Sequence, residues 1–364
     1  MANIHLCIFL AVHIILAIST SQCCHAKQPK IPAILIFGDS TVDTGNNDYI
    51  TATAVKANFP PYGVSFPNHL PTGRFSDGRL VPDFLASALG IKELVPPFLN
   101  PSLSDEDLRT GVSFASAGSG FDSLTTAVSG VIPVADQPGL FRQYVEKLKA
   151  SVGEGKANMI ISKSLIVISA GTNDFVLNWY DLPSSRRLQF FNDIGLYQNF
   201  ILEKLGDLIK GDDPEIYNMG GRIFGVAGIG PIGCVPLQIT AKLRLPFGRS
   251  CVQEENSDAI AYNAKLQKLL PQLQASLPRS QLLYANIFDP FLEIHDHPEK
   301  YGIVEISKGC CGLGYVETGP LCNEFVPRCP NPSQFMFWDA VHPSEVVYKH
   351  IAQYLVDNVI PEIS

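Results

Sequence analysis

Four short apolar runs set the tightest limit on what this chain can fold into. Residues 33–37, 165–170, 223–227 and 282–287 are rich in Ile, Val, Leu and Phe, and none alternates apolar with polar positions. A strand with one wetted face alternates, whereas a strand covered on both faces does not. The runs therefore predict a parallel sheet with helices on either side. A weaker fifth run, residues 111–115, belongs with them. Between the runs the period changes to that of helices. Residues 138–149 put Leu140, Phe141, Tyr144, Val145 and Leu148 on one face, the stripe of a core-facing helix. Residues 199–209 and 259–273 behave similarly, and a last helix over 345–359 follows Pro343-Ser344. Strand–helix alternation predicts one three-layer α/β domain. The Pro/Gly-rich stretches 59–73 and 95–101 read as long surface loops, of the kind that carry function at a sheet edge.

The chain begins with 26 residues that include no Asp, Glu, Lys or Arg, and residues 8–18 are an apolar run followed by small and polar residues. This pattern predicts a secretory signal peptide over residues 1–26, cleaved after Ala26 or Ser21, with residues 27–364 as a single mature domain. The run is shorter than the ~20 apolar residues of a membrane-spanning helix, and Lys163 interrupts the best later candidate. A secreted protein without stable membrane insertion is expected. Of nine cysteines, cleavage after Ala26 removes Cys7, Cys23 and Cys24 and leaves six, an even count that in an exported chain predicts three disulfides. Cys234 and Cys251 are the natural local pair, and the adjacent Cys310 and Cys311 pair outward. The rival reading is a zinc site among residues 310–329, disfavoured by export and by spacing unlike a zinc ribbon's. A net charge of −8 without a Lys/Arg block argues against nucleic acid or an anionic membrane as partner.

Ligands of open parallel sheets bind beyond the carboxyl ends of the strands. Several runs here end in unusual polar turns: Gly38-Asp39-Ser40, Ala117-Gly118-Ser119-Gly120, Gly171-Thr172-Asn173-Asp174 and Gly228-Ile229-Gly230-Pro231. Near the C-terminus Asp339 stands three residues before His342. Acyl transfer needs a nucleophile, a base in reach of it, a group that orients the base, and donors where the oxyanion develops. Ser40, His342 and Asp339 can fill the first three roles. The backbone N–H groups of Ser40 and Gly118 and the Asn173 amide can fill the fourth. Plainer readings exist for each. Ser40 suits a helix N-cap, Asn173 a turn, and Asp339 with His342 a local pair at a helix start. Asp39 and Asp43 are expected to order the turn around Ser40, and Asp174 to position the Asn173 loop. His295-Asp296-His297 has the spacing of a metal-ligand pair and nothing else in its favour.

The blocks FGDSTVDTGNN, GVSFASAGSG, GTND and WDAVHPSE, in that order, resemble those of the plant GDSL esterases/lipases, or SGNH hydrolases, and most of all their extracellular-lipase branch. PTGRFSDGR, GIGPIGCVP and the CCG…LCN cysteines extend the resemblance over nearly the whole mature chain. It implies a flavodoxin-like α/β/α fold with a mainly parallel five-stranded sheet. It also implies Ser40 as nucleophile, His342 as general base then acid, Asp339 as its orienter, and Ser40, Gly118 and Asn173 as the oxyanion hole. No cofactor and no metal is called for. The implied substrate is a lipidic or phenolic ester, met in the apoplast or cell wall. The implied alternatives are an acyltransferase that passes the acyl group to an alcohol, and a binding protein that has kept the fold. The chain departs from the family pattern at Ser113, where VSFA replaces VNFA, and at Thr41, where GDST replaces GDSL; neither change should disturb Gly118 or Ser40. Loops 59–73, 122–136 and 180–190 are expected to shape an acyl pocket, with Phe59, Tyr62, Phe66, Leu124, Val128, Val131 and Ile132 as its apolar lining. Activity should fall on the acid side as His342 protonates.

Overall fold

The apolar runs pair as their composition requires. The computed structural model describes residues 31–363, apart from 128, 181–186, 188, 212–215 and 243–247. Strands β1 (Ile34–Gly38), β2 (Leu165–Ser169), β3 (Ile223–Ala227) and β4 (Gln281–Ala285) form one parallel sheet in the order β1-β2-β3-β4. Ile36 lies opposite Val167, Val167 opposite Gly225, and Gly225 opposite Leu283. The signal-peptide expectation over residues 1–26 lies outside the described residues, as do Val128 and most of loop 180–190.

The expected fifth strand takes the edge position beside β1 without becoming regular. Ile36 N–H donates to Val112 O at 3.1 Å, Phe114 N–H to Ile36 O at 2.7 Å, and Ser116 N–H to Gly38 O at 3.0 Å. Only Ser113 qualifies as an isolated bridge partner of Ile36. Its outer side is taken by irregular partners: Phe98 N–H and the Asn46 side-chain amide both donate to Ser113 O. The main sheet thus has four regular strands and an irregular fifth segment. A second small sheet was not legible in the sequence. It pairs β5 (Glu305–Gly309) with β6 (Phe335–Phe337) and delivers the turn that carries Asp339 and His342.

Alternate residues of each strand face opposite layers. The longer helices, in chain order, are α1 (Val81–Ala88), α2 (Gln137–Val152), α3 (Glu154–Lys163), α4 (Ile194–Lys210), α5 (Gln253–Ser276), α6 (Phe288–Asp296) and α7 (Glu345–Asn358). Leu35, Phe37, Ile166, Ile168, Phe224 and Val226 pack into one core with α2, α3, α4 and α5. Their neighbours Ile34, Ile36, Leu165, Val167, Leu283 and Ala285 pack into the other with α1, α6 and α7. This is the physical content of strands without alternation. The chain steps from β1 to the edge segment 112–116 and then back across to β2. The reversal makes the crevice at the ends of β1 and β2 the topological switch point, where such folds bind ligands.

Among the described residues there are three disulfides: Cys234–Cys251, Cys310–Cys329 and Cys311–Cys322. The adjacent cysteines pair outward as expected, and the rival zinc reading of residues 310–329 falls because all four sulfurs are bonded in pairs. Among the described residues no helix is long and apolar enough to cross a membrane.

Candidate active site

Strand β1 ends at Gly38, whose φ of 145° is open to glycine and strained for other residues. A Cβ there would stand 1.9 Å from Ser169 O, so only glycine lets the two strand ends come so close. The Gln137 side chain clamps this residue from α2, accepting from Gly38 N–H and donating to Gly38 O, both at 2.8 Å. Beyond it the chain turns sharply, with Asp43 N–H donating to Asp39 O at 2.9 Å. Asp39 Oδ1 accepts from Thr41 N–H and from Thr41 Oγ1, so the threonine of GDST fastens the turn. Ser40 is left at its tip, 7% exposed.

Facing it, His342 Nε2 lies 2.9 Å from Ser40 Oγ. On the other side of the ring, Nδ1 lies 2.9 Å from both carboxylate oxygens of Asp339. This network assigns the ring proton to Nδ1 and leaves Nε2 to accept from the serine hydroxyl. Asp339 is wholly buried and richly satisfied. Its Oδ1 accepts from Val341 N–H at 2.8 Å and His342 N–H at 2.7 Å. Its Oδ2 accepts from Tyr62 OH at 2.7 Å and Thr318 Oγ1 at 3.0 Å. Burial by itself would raise this carboxyl, but the charge of His342 and the hydrogen bonds outweigh it and hold it below the usual carboxylate range.

Tyr62 and Thr318 are the site residues that the sequence did not reveal. Tyr62 was expected in an acyl pocket. It is instead fully buried, its ring against Phe59, Phe75 and Trp338, its hydroxyl shared between Asp339 and Gly319 N–H. Phe66 also turns inward, under the Arg74 guanidinium at 5.2 Å. The block PTGRFSDGR clamps the histidine turn. Arg74 forks onto Asp83 with two 2.8 Å bonds, Phe75 packs against the His342 ring at 4.9 Å, and Asp77 accepts from Glu345 N–H at the start of α7 at 2.7 Å.

The loop after residues 112–116 is tied to the same turn. Asp43 Oδ1 accepts from Gly45 and Asn46 N–H, and its Oδ2 reaches across to Ala117 N–H at 2.9 Å. Burial pushes this carboxyl up to about 6. Ser119 Oγ donates to Gly38 O at 2.9 Å, which brings the Gly118 turn (φ 82°) against the end of β1. Ser113 binds Val42 O through its hydroxyl at 3.0 Å, a local bond that leaves Gly118 in place. From the end of β2, Asn173 Nδ2 donates to Ser119 O at 2.9 Å. Asp174 fixes that turn by accepting from Phe121 N–H, Asp122 N–H and Thr125 Oγ1, and burial pushes it up to about 7. Among the described residues, neither Ser40 N–H nor Gly118 N–H has a hydrogen-bond partner. The structure therefore joins Ser40, His342 and Asp339 in one hydrogen-bonded chain and gathers the Gly118 and Asn173 turns around the end of β1. A hydroxyl on an imidazole nitrogen, a buried carboxylate behind it and free N–H donors in front are parts sufficient for acyl transfer.

Of the expected apolar lining, Val131 stands beside Gly118 together with Val55, and Leu124 and Ile132 are half-buried. The side chains of His295 and His297 have different partners: His297 lies 4.0 Å from Glu293 and Glu299. His295 Nδ1 meets Asp296 and its Nε2 lies 3.2 Å from Cys251 Sγ. Among the described residues the one cluster of three ligand-type side chains is Cys234, Cys251 and His295, and its two sulfurs are bonded to each other.

Comparison with known proteins agrees over most of the chain. Residues 34–355 match the family model described as GDSL-like Lipase/Acylhydrolase. The chain is 50% identical over 340 residues to GDSL esterase/lipase At2g30220 of Arabidopsis thaliana, covering 93% of each chain. It is 51% identical over 328 residues to GDSL esterase/lipase At2g30310 of the same plant, covering 90% of this chain and 89% of that one. A third Arabidopsis thaliana protein, GDSL esterase/lipase At1g06990, is 44% identical over 371 residues, covering 99% of both.

Proposed function

Since the chain belongs to the GDSL-like lipase/acylhydrolase family and is a carboxylic ester hydrolase, we propose that it works through an acyl-enzyme on Ser40. The continuous hydrogen-bonded chain from Ser40 Oγ through His342 to Asp339 carries this reading. Ser40 Oγ attacks the ester carbonyl while its proton passes to His342 Nε2. The oxyanion is met by the N–H groups of Ser40 and Gly118 and by the Asn173 amide. His342 then gives its proton to the leaving alkoxide, and Asp339 stabilises the imidazolium between the two transfers. In the second half the imidazole takes a proton from a water whose oxygen attacks the acyl carbonyl, the bond from the acyl carbon to Ser40 Oγ breaks, the proton returns to Oγ, and the carboxylic acid leaves. An alcohol in place of that water would make the protein an acyltransferase; the two differ only in the acceptor. The apolar segment 8–18 and the three disulfides support export, with residues 1–26 removed and residues 27–364 acting in the apoplast or wall.

Hydrolysis of p-nitrophenyl butyrate by the mature protein, beside Ser40→Ala, tests the mechanism. A fall in kcat of at least about 10³-fold is expected, with an acylated Ser40 peptide seen by mass spectrometry in the parent protein. Equal activity in the variant would remove Ser40 as nucleophile. Product analysis with an added primary alcohol separates ester formation from hydrolysis.

A further inference from the structure

Under the nucleophile turn lies an apolar cavity of about 140 Å³ that the chemistry described so far does not use. It is enclosed between one face of the sheet and helices α1, α6 and α7, with Val167, Gly225 and Ala227 on the sheet side and Leu85, Phe291 and Ile351 on the helix side. The cause is local. On its other face β3 presents Phe224 and Val226, and on this face Ile223, Gly225 and Ala227, of which the two small residues line the cavity. A Cβ built on Gly225 would touch nothing closer than Leu165 Cδ1 at 3.7 Å, so the space is free of backbone or packed side chains. Protein interiors hold few voids larger than a water molecule. A void of this size matches engineered apolar cavities, about 150 Å³, that stay dry and take up small hydrocarbons.

The cavity's position gives it a use. At one end it is bounded by Thr41, Thr172, Val341 and Pro343, the chain neighbours of Ser40, Asn173 and His342. All four are half-buried, so this end lies nearer the surface than the rest of the cavity. From there the cavity runs along the strands from Ser169 to Leu165, four residue steps or roughly 13 Å, towards Val359 and Ile363.

We propose that this cavity is the acyl-chain subsite: the acyl group on Ser40 turns down past Thr41 and Val341 and lies, as a linear aliphatic chain of medium length, between β3 and α7. The proposal rests on the acyl-enzyme reading and adds the substrate class. It places the chain inside the fold, where the sequence had suggested surface loops. Chains that fill the cavity gain roughly fourfold per buried methylene, and longer ones gain nothing more. Branched or ring-bearing acyl groups are excluded by a slot bounded on both sides by packed layers.

The test measures kcat/KM for p-nitrophenyl acetate, butyrate, octanoate and decanoate with the parent protein, Gly225→Val and Ala227→Leu, together with the thermal midpoint of each with and without decanoate. The parent should favour octanoate over butyrate by about 10²-fold, four methylenes at the same increment. Each variant, folded as judged by its thermal midpoint, should lower the octanoate-to-acetate ratio at least tenfold. Decanoate should raise the parent's midpoint and leave that of Gly225→Val in place. Folded variants that keep the parent's chain-length profile would overturn the subsite, as would a parent whose midpoint ignores decanoate. If Ser40→Ala stays active while decanoate still stabilises only the parent, the subsite stands and the acyl-enzyme reading falls.

Discussion

Replacing Tyr62 by Phe removes one oxygen from the support of Asp339 and leaves the ring that Phe59, Phe75 and Trp338 surround. That oxygen donates to Asp339 Oδ2 at 2.7 Å and accepts from Gly319 N–H at 2.8 Å. A hydrogen bond to a charged group contributes about 1.5–3 kcal/mol, and a buried N–H left without an acceptor costs about 1–3 kcal/mol. Taking the lower part of both ranges, Tyr62→Phe should destabilise the fold by about 3 kcal/mol, read from the urea unfolding midpoint. Catalysis should suffer less. Asp339 keeps Thr318 Oγ1, two backbone N–H groups and the imidazole, so plateau kcat/KM on a short ester should fall less than about tenfold. The pH profile carries the sharper signature. A carboxylate with one donor fewer attracts the imidazolium more strongly, so the protonated, inactive form persists to higher pH. The acid limb of kcat/KM should move upward by up to about one pH unit, the equivalent of roughly 1.4 kcal/mol. An unmoved limb with an unchanged urea midpoint would refute the bond to Asp339. A loss above about 10³-fold with the limb in place would instead put Tyr62 at the reacting atoms.

Two further outcomes are expected. Burial raises Asp43 to about 6 and Asp174 to about 7, and burial together with the Asp43 charge raises Asp48 to about 7. Folded values above the unfolded one mean stability that is complete below about pH 4 and lost as pH rises through about 6–7, so these groups should lower the thermal midpoint between about pH 4 and 7; a midpoint that climbs across this window would contradict the buried carboxyls. Opening Cys311–Cys322, which spans 11 residues, with a double serine variant should cost roughly 3 kcal/mol and also lower kcat/KM, because Thr318 and Gly319 lie inside the loop it closes. Lost stability with kcat/KM intact would show that Thr318 is dispensable for holding Asp339.

What was legible in the sequence follows from where the forces act. Strands buried on both faces must be apolar throughout, so β1 to β4 appear as runs to within a few residues. The polar turns that end them stand out because a buried run has no packing reason to finish in Gly-Asp-Ser or Gly-Thr-Asn-Asp. Tyr62 was misplaced because an aromatic residue in a Pro-rich loop reads as apolar lining, and its polar partner lies 277 residues away. Nothing local to EISKG or FMF marks β5 and β6 as strands, since the disulfides and loops around them hold them together. The edge segment 112–116 shows the reverse case: a plausible strand whose outer bonds go to loop residues and Asn46. The glycine of IFGVA was visible, and glycine inside a strand signals a weak point or a close approach. The void beside it depends on what α7 does not supply from the far end of the chain.

Ser40 and His342 stand 302 residues apart. At about 5–20 residues per second, a nascent chain carries its serine for roughly 15–60 s before the histidine is even synthesised. Through that interval the Ser40 hydroxyl lacks the imidazole it meets in the folded protein. Asp339 is buried beneath loop residues such as Thr318, and the disulfides Cys310–Cys329 and Cys311–Cys322 staple those loops. The order of residues along the chain thus works as a delay. An incomplete polypeptide holds Ser40 without its imidazole partner, and a reduced one lacks the staple of the loop that brings Thr318 to Asp339.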